Sequence, residues 1–224
     1  MSVTAYFFIV YVQTFLSGLI AAAALYKYKQ RDFVIRLIGI LYLLSFICNV
    51  AAFIIWKSPW RHLLNVPGSI YDLGFVIICA IIFNHVFDNK YKHLFILVIV
   101  IYLIGSFLNL FLIQKLFITS FTKFSGSLMV IVFAVTFFYR LLIEMPTMHL
   151  HRLPMFWFNS GFLIFCSGAL FLYAFTDYLV RVLDDDLRMY WSFHNLLFIV
   201  MDVLMLIGIR YDWLARHAKV SVKD

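Results

Sequence analysis

Apolar residues fill long stretches of this chain with almost no polar position inside them, and the polar residues gather in short clusters between. Seven such runs stand out, at about 6–26, 33–56, 69–87, 93–112, 124–143, 154–175 and 190–209. Each is close to the ~20 residues a helix needs to cross the hydrocarbon core of a bilayer. The runs are apolar all round rather than along one stripe, which is the pattern of helices solvated by lipid. Four prolines, Pro59, Pro67, Pro146 and Pro154, fall between runs or at their starts, so the pattern predicts spans unbroken in their middles. The expected fold class is an all-α integral membrane protein, a seven-transmembrane-helix bundle over residues 1–212 followed by a short basic tail, 213–224.

Small residues refine the sixth run. Ser160 with Ser167, and Gly161 with Gly168, are each two helical turns apart, and such a face lets a neighbouring backbone approach. These four residues are the expected helix-packing positions, and Pro154 suits the first turn of that helix.

Composition agrees with the pattern. The 224 residues are 65% hydrophobic and 13% charged, against about 45–50% and about 25% for a soluble domain. The net charge of +7 would suggest nucleic acid in a soluble protein. Here the basic residues sit between spans, where they set orientation and meet anionic lipid, so the bilayer and not nucleic acid is the expected partner. One set of connections holds Lys27, Lys29, Arg31, Arg36, Lys90, Lys92, Arg140 and Arg152, and the C-terminal segment adds Arg210, Arg216, Lys219 and Lys223. The opposite set holds Lys57, Arg61, Lys115, Lys123, Arg181 and Arg188. The excess places the N-terminus outside and the C-terminus in the cytoplasm, in a cytoplasmic (inner) membrane. The start of the chain lacks the positive n-region of a cleaved signal, so the first run is expected to be retained.

Polar residues within spans are costly and are functional candidates by default. Asp202 lies deepest, in the seventh run. His194 and Asn195 lie about two turns before it, and Asp72 lies about one turn into the third run. These four are the expected lining of an outward-facing polar pocket for a small or lipophilic ligand, with a hydrogen-bonding contact between helices as the equal alternative for Asp202. Gln13, Asn49 and Asn159 read as hydrogen-bonding contacts between helices.

Other chemistries find less support. Every lysine falls in a connection or tail, which leaves a retinal Schiff base without an attachment point in the bundle. His194 sits toward the opposite face from His85 and His93, so they cannot share a haem. His149-x-His151 lacks a clear third ligand, and Asp184 to Asp186 lacks calcium-loop spacing, so no metal and no cofactor is expected. Asp72 and Asp202 could form a catalytic carboxylate pair only if the third and seventh helices touch.

The segment PMFWFNSGFLIFCSGALFLYAF, with Pro154, Phe156-Trp157, Asn159-Ser160 and Ser167-Gly168, then His194 and Gly208, and more weakly Tyr71-Asp72, resembles a group of small seven-span bacterial membrane proteins. Genes of that group often lie near two-component signalling genes, so the resemblance implies a signalling association. The chain departs from the group's pattern at Asn49, Asp72 and Met201. The expectation is a non-enzymatic sensor that binds its ligand among the outer helix halves and signals to a separate cytoplasmic protein. The alternative is an intramembrane lipid-modifying enzyme, and after it a small-solute carrier or channel.

Overall fold

The computed structural model describes residues 3–109, 120–144, 150–182 and 188–220. Seven α-helices are present among them: α1 (Val3–Leu25), α2 (Phe33–Lys57), α3 (Asn65–Val86), α4 (Lys92–Leu108), α5 (Ser120–Glu144), α6 (Pro154–Val182) and α7 (Arg188–Val220). Six of the seven, all but α4, are long and apolar enough to cross a membrane. The described part of α4 is apolar over 17 residues. The end of the fourth run at residue 112, together with Lys115, His149 and the Asp184–Asp186 acidic run, lies outside the described residues.

Hydropathy marks what lipid can solvate, and helical hydrogen bonding continues beyond it. α6 therefore runs past residue 175 to Val182, and α7 runs past residue 209 to Val220, taking in part of the expected tail. α3 begins before residue 69, because Pro67 fits a first helical turn, where its missing N–H costs nothing. Between α3 and α4, Asp88 and Asn89 both adopt positive φ (56° each), a conformation their short polar side chains tolerate.

Six helices close a ring in which α1 packs on α2, α2 on α3, α3 on α5, α5 on α6, α6 on α7 and α7 back on α1. α4 lies outside the ring against α3 and α5. It buries Phe95, Tyr102 and Ser106 on one stripe and leaves Leu94, Ile101 and Phe107 exposed. The outward faces carry large apolar side chains such as Phe8, Phe15 and Phe171. Their exposure is the structural counterpart of the mean hydropathy of +0.97. In the middle of the ring, Tyr42, Phe75, Phe83, Phe162, Phe165 and Phe198 are buried. Their rings meet edge-on or tilted across α2, α3, α6 and α7, as between Phe75 and Phe162 at 5.9 Å and Phe165 and Phe198 at 5.0 Å.

α6 and α7 form the tightest hairpin. Gly161 receives Met201, Leu204 and Met205, Gly168 receives Leu197, and Gly208 receives the ring of Phe158. Of the four expected packing positions, Ser167 is exposed, and Ser160 is half-buried with its hydroxyl donating to the Phe156 carbonyl of its own helix at 2.8 Å. Ser167 is therefore turned away from the close glycine-side contact with α7. It lies about 100° around the helix from Gly168, and α7 crosses on the glycine side.

Helix ends give the bundle two distinct faces. The amino end is where α1, α3, α5 and α7 begin. At the opposite, carboxyl end, Arg31 donates to the Ala23 and Tyr26 carbonyls, both at 3.2 Å, and to Asp212 on α7 at 3.1 Å. Arg216 joins the same carboxylate at 2.9 Å and also reaches the Gln30 carbonyl. On the other side of that face, Arg140 of α5 bonds Asp88 at 2.9 Å and Glu144. The Arg31–Asp212 pair is largely buried, whereas the Arg140 side chain is 36% exposed. Arg31→Met is therefore expected to cost about 1–2 kcal/mol by loss of charge-assisted hydrogen bonds. Arg140→Met is expected to cost below about 1 kcal/mol. Thermal unfolding of the two variants in one detergent checks the ranking.

Candidate functional site

The amino end holds a cavity of about 580 Å³, within the about 300–1,000 Å³ usual for small-molecule sites. All seven helices contribute to its wall. α1 gives Tyr6, Tyr11 and Gln13, α2 gives Ser45, Cys48, Asn49 and Trp56, and α3 gives Tyr71, Asp72 and Phe75. α4 adds Tyr102, α5 adds Thr122, Lys123, Gly126 and Ser127, and α6 adds Phe165, Tyr173 and Thr176. α7 supplies Trp191, His194, Asn195 and Phe198, spaced three and four residues apart so that one stripe faces inward. The wall is thus largely aromatic, with a few converging polar groups.

The polar groups fall into two patches. On the α1–α2 side, the Asn49 amide donates to Gln13 Oε1 at 3.2 Å, and the Gln13 amide donates to Ser17 Oγ at 3.1 Å. Ser17 in turn meets Ser45 at 3.4 Å. This chain ties α1 to α2, and it leaves Asn49, Gln13 and Ser45 on the cavity wall. Asn159 is a contact between helices of a different kind: its amide donates to the Ala134 carbonyl of α5 at 3.1 Å, well away from the cavity lining.

The second patch is ionic. Lys123 Nζ lies 3.5 Å from Asp72 Oδ2, joining α5 to α3. The ammonium also sits over the Trp191 ring at 4.9 Å and near the Tyr173 ring at 5.7 Å, distances at which ring and cation attract. Beside it, His194 Nε2 and the Tyr173 hydroxyl are 2.7 Å apart. His194 Nδ1 is buried and has no hydrogen-bond partner among the described residues. The His194 ring is held edge-on by Phe165 at 5.4 Å and Trp191 at 5.3 Å.

Three of the four expected pocket residues, Asp72, His194 and Asn195, line this cavity together. Asp202 does not. It is fully buried on α7 below the cavity, in the packed middle of the ring. The Tyr42 hydroxyl lies beside it, close enough to interact with its carboxylate. α3 and α7 do meet, with the Tyr71 and Phe198 rings 5.9 Å apart. Even so, Asp202 is absent from the wall that Asp72 lines, so the two carboxylates do not share one site.

Lys123 overturns one expectation. It lies not in a connection but in the first turn of α5, directed into the ring beside Asp72. The bundle therefore does hold one lysine directed into its interior. A signal for it was present in the sequence. Lys123 is three and four residues before Gly126 and Ser127, and seven and eleven before Val130 and Ala134, so it shares their helix face. All four of those residues are buried.

A second hollow of about 440 Å³ lies at the carboxyl end, lined by Asp32, His85, Asp88, Arg140, Glu144 and Asp212 among others. Its carboxylates Asp88, Glu144 and Asp212 are already paired with the arginines described above. Among the described residues no group of three or more His, Cys, Asp or Glu side chains could hold a metal ion. Compared with known proteins, the chain matches no family model, no curated protein and no solved structure.

Proposed function

We propose that this chain is a receptor-like, seven-span membrane protein, with its amino end outside and its carboxyl end in the cytoplasm. It binds a small or lipophilic ligand in the amino-end cavity and passes a helix shift to a separate cytoplasmic signalling partner. The observation that carries the reading is the cavity itself, an aromatic chamber with a handful of convergent polar groups, to which every helix contributes. The ring interior below it is filled by buried aromatic side chains, and the carboxyl end is cross-linked by Arg31–Asp212 and Arg140–Asp88. A blind chamber of this kind favours binding over passage, and the helices run without a mid-span break.

α7 supplies the connection. Trp191, His194, Asn195 and Phe198 face the ligand chamber, Met201, Asp202 and Met205 face the packed middle, and Asp212 makes the carboxyl-end ion pairs. A ligand that prefers one position of α7 therefore biases the contact between α7 and the α1–α2 turn. The excess of basic residues at the carboxyl end supports its assignment to the cytoplasm.

Thiol labelling tests the orientation and the opening. Cys79 and Cys166 are fully buried, and Cys48 lines the cavity. In a Cys48→Ser background, Asn195→Cys is expected to react with a charged, membrane-impermeant thiol reagent added outside intact cells, while Cys79 and Cys166 stay unmodified. Reaction only in inside-out vesicles, or with neither preparation, would overturn an outward-facing chamber.

A further inference from the structure

We propose that Lys123 is a covalent attachment point for a lipophilic aldehyde, held in the cavity as a protonated imine with Asp72 as its counterion. This rests on the cavity reading above and names the chemistry of its ligand. Lys27, Lys29, Lys57, Lys90 and Lys92 are exposed at helix ends or turns, whereas Lys123 is half-buried and faces the chamber.

The alternative use of this residue is as a structural staple between α3 and α5. A staple alone does not account for the geometry. The contact is a single one at 3.5 Å, and both side chains keep part of their surface open to the chamber, 18% for Lys123 and 16% for Asp72. An ion pair that serves packing is shorter and closes off its remaining lone pairs. Apart from the Lys123 ammonium, Asp72 Oδ2 has no polar partner among the described residues, so it is placed to take a proton from the amine and return it.

Charge balance selects the carbonyl over an anionic ligand. A carboxylate drawn to Lys123 would stand beside Asp72, and two like charges at one ammonium repel. An iminium leaves the positive charge where the ammonium was, still beside Asp72 and still over Trp191. The steps balance without a further reagent. Asp72 accepts a proton from the Lys123 ammonium, and the neutral Nζ adds to the aldehyde carbon to give a carbinolamine. Asp72 then returns the proton to the departing hydroxyl. Water leaves, the C=N bond forms, and the iminium keeps one proton on nitrogen. The aromatic walls suit a flat, conjugated or aryl body on that aldehyde.

The test uses the purified full-length protein with all-trans-retinal and, separately, cinnamaldehyde, each followed by borohydride reduction and peptide mapping. The expected result is a stable secondary-amine adduct on Lys123 with at least one probe. It should be lost in Lys123→Arg, which keeps the cation but cannot form the imine under these conditions. Thermal melts of Lys123→Arg establish that the fold persists, and Asp72→Asn should slow adduct formation while leaving the lysine in place. An adduct confined to other lysines, or probe retained with no adduct after reduction, would overturn the imine and leave the binding chamber standing. If neither probe is retained or coupled while Asn195→Cys still labels from outside, the imine alone fails. If that labelling also fails, both readings fall.

Discussion

Lys123→Met is expected to destabilise the protein by on the order of 2–3 kcal/mol, seen as a lowered unfolding midpoint in a fixed detergent. The reason is what it leaves behind. Asp72 would lose its counterion while remaining largely enclosed by α3, α5 and the cavity wall. Removing one partner of a fully buried pair costs about 3–5 kcal/mol, and the partial exposure of this pair lowers the figure. The double variant Asp72→Asn/Lys123→Met removes the stranded charge and should recover most of the loss, because the two positions act on one interaction. If the single variant loses under about 0.5 kcal/mol, the ion pair contributes nothing to the bundle. If the double variant loses as much as the single one, the Lys123 stem and not its charge was the stabilising part.

Gly208→Leu should be more damaging still. A Cβ at Gly208 would come closer than 3.0 Å to two carbons of the Phe158 ring, and that ring is only 1% exposed. The ring cannot swing away without opening the α6–α7 hairpin, because its neighbours on both helices are buried. Gly208→Ala is expected to cost about 1–3 kcal/mol through overpacking, and Gly208→Leu is expected to prevent accumulation of folded protein. Gly105 on α4 is the matched control. Nothing lies within 4 Å of a Cβ built there, so Gly105→Ala should be neutral or gain about 0.5–1 kcal/mol from helix propensity. Equal behaviour of the two alanine variants would contradict the packing described for α6 and α7.

The helices were legible because their determinant is simple: a run of about 20 side chains with no polar face can only be satisfied by lipid around a helix. Their ends were less so. Residues 176–182 of α6 and 210–220 of α7 are helical although they carry Arg, Asp and Tyr, because hydropathy reports the solvent and not the backbone hydrogen bonds. Facing was harder again. Ser160 with Ser167 and Gly161 with Gly168 have the same seven-residue spacing, and spacing alone cannot say which pair meets α7. Leu197 and Met201 chose the glycines, where no Cβ holds them off.

The site was half readable. The positions of Asp72, His194 and Asn195 along their helices put all three near the amino end, and the structure gathers them around one chamber. Asp202 was grouped with them by its place on the same helix. One to two further turns of α7 carry it below the wall into the packed middle beside Tyr42. Lys123 was missed because a lone lysine near the start of an apolar run reads as a boundary marker. Its partners Asp72, Trp191 and Tyr173 come from three other helices, and that convergence exists only after folding.

Occupancy of the amino-end chamber by a ligand is tested most directly by native mass spectrometry of the protein released gently from its own membranes. A reproducible added mass of small-molecule size is expected. That mass should be weakened by Asn195→Trp, which fills the chamber from its α7 wall. A bare protein in every preparation, or an added mass that Asn195→Trp leaves unchanged, would contradict that occupancy.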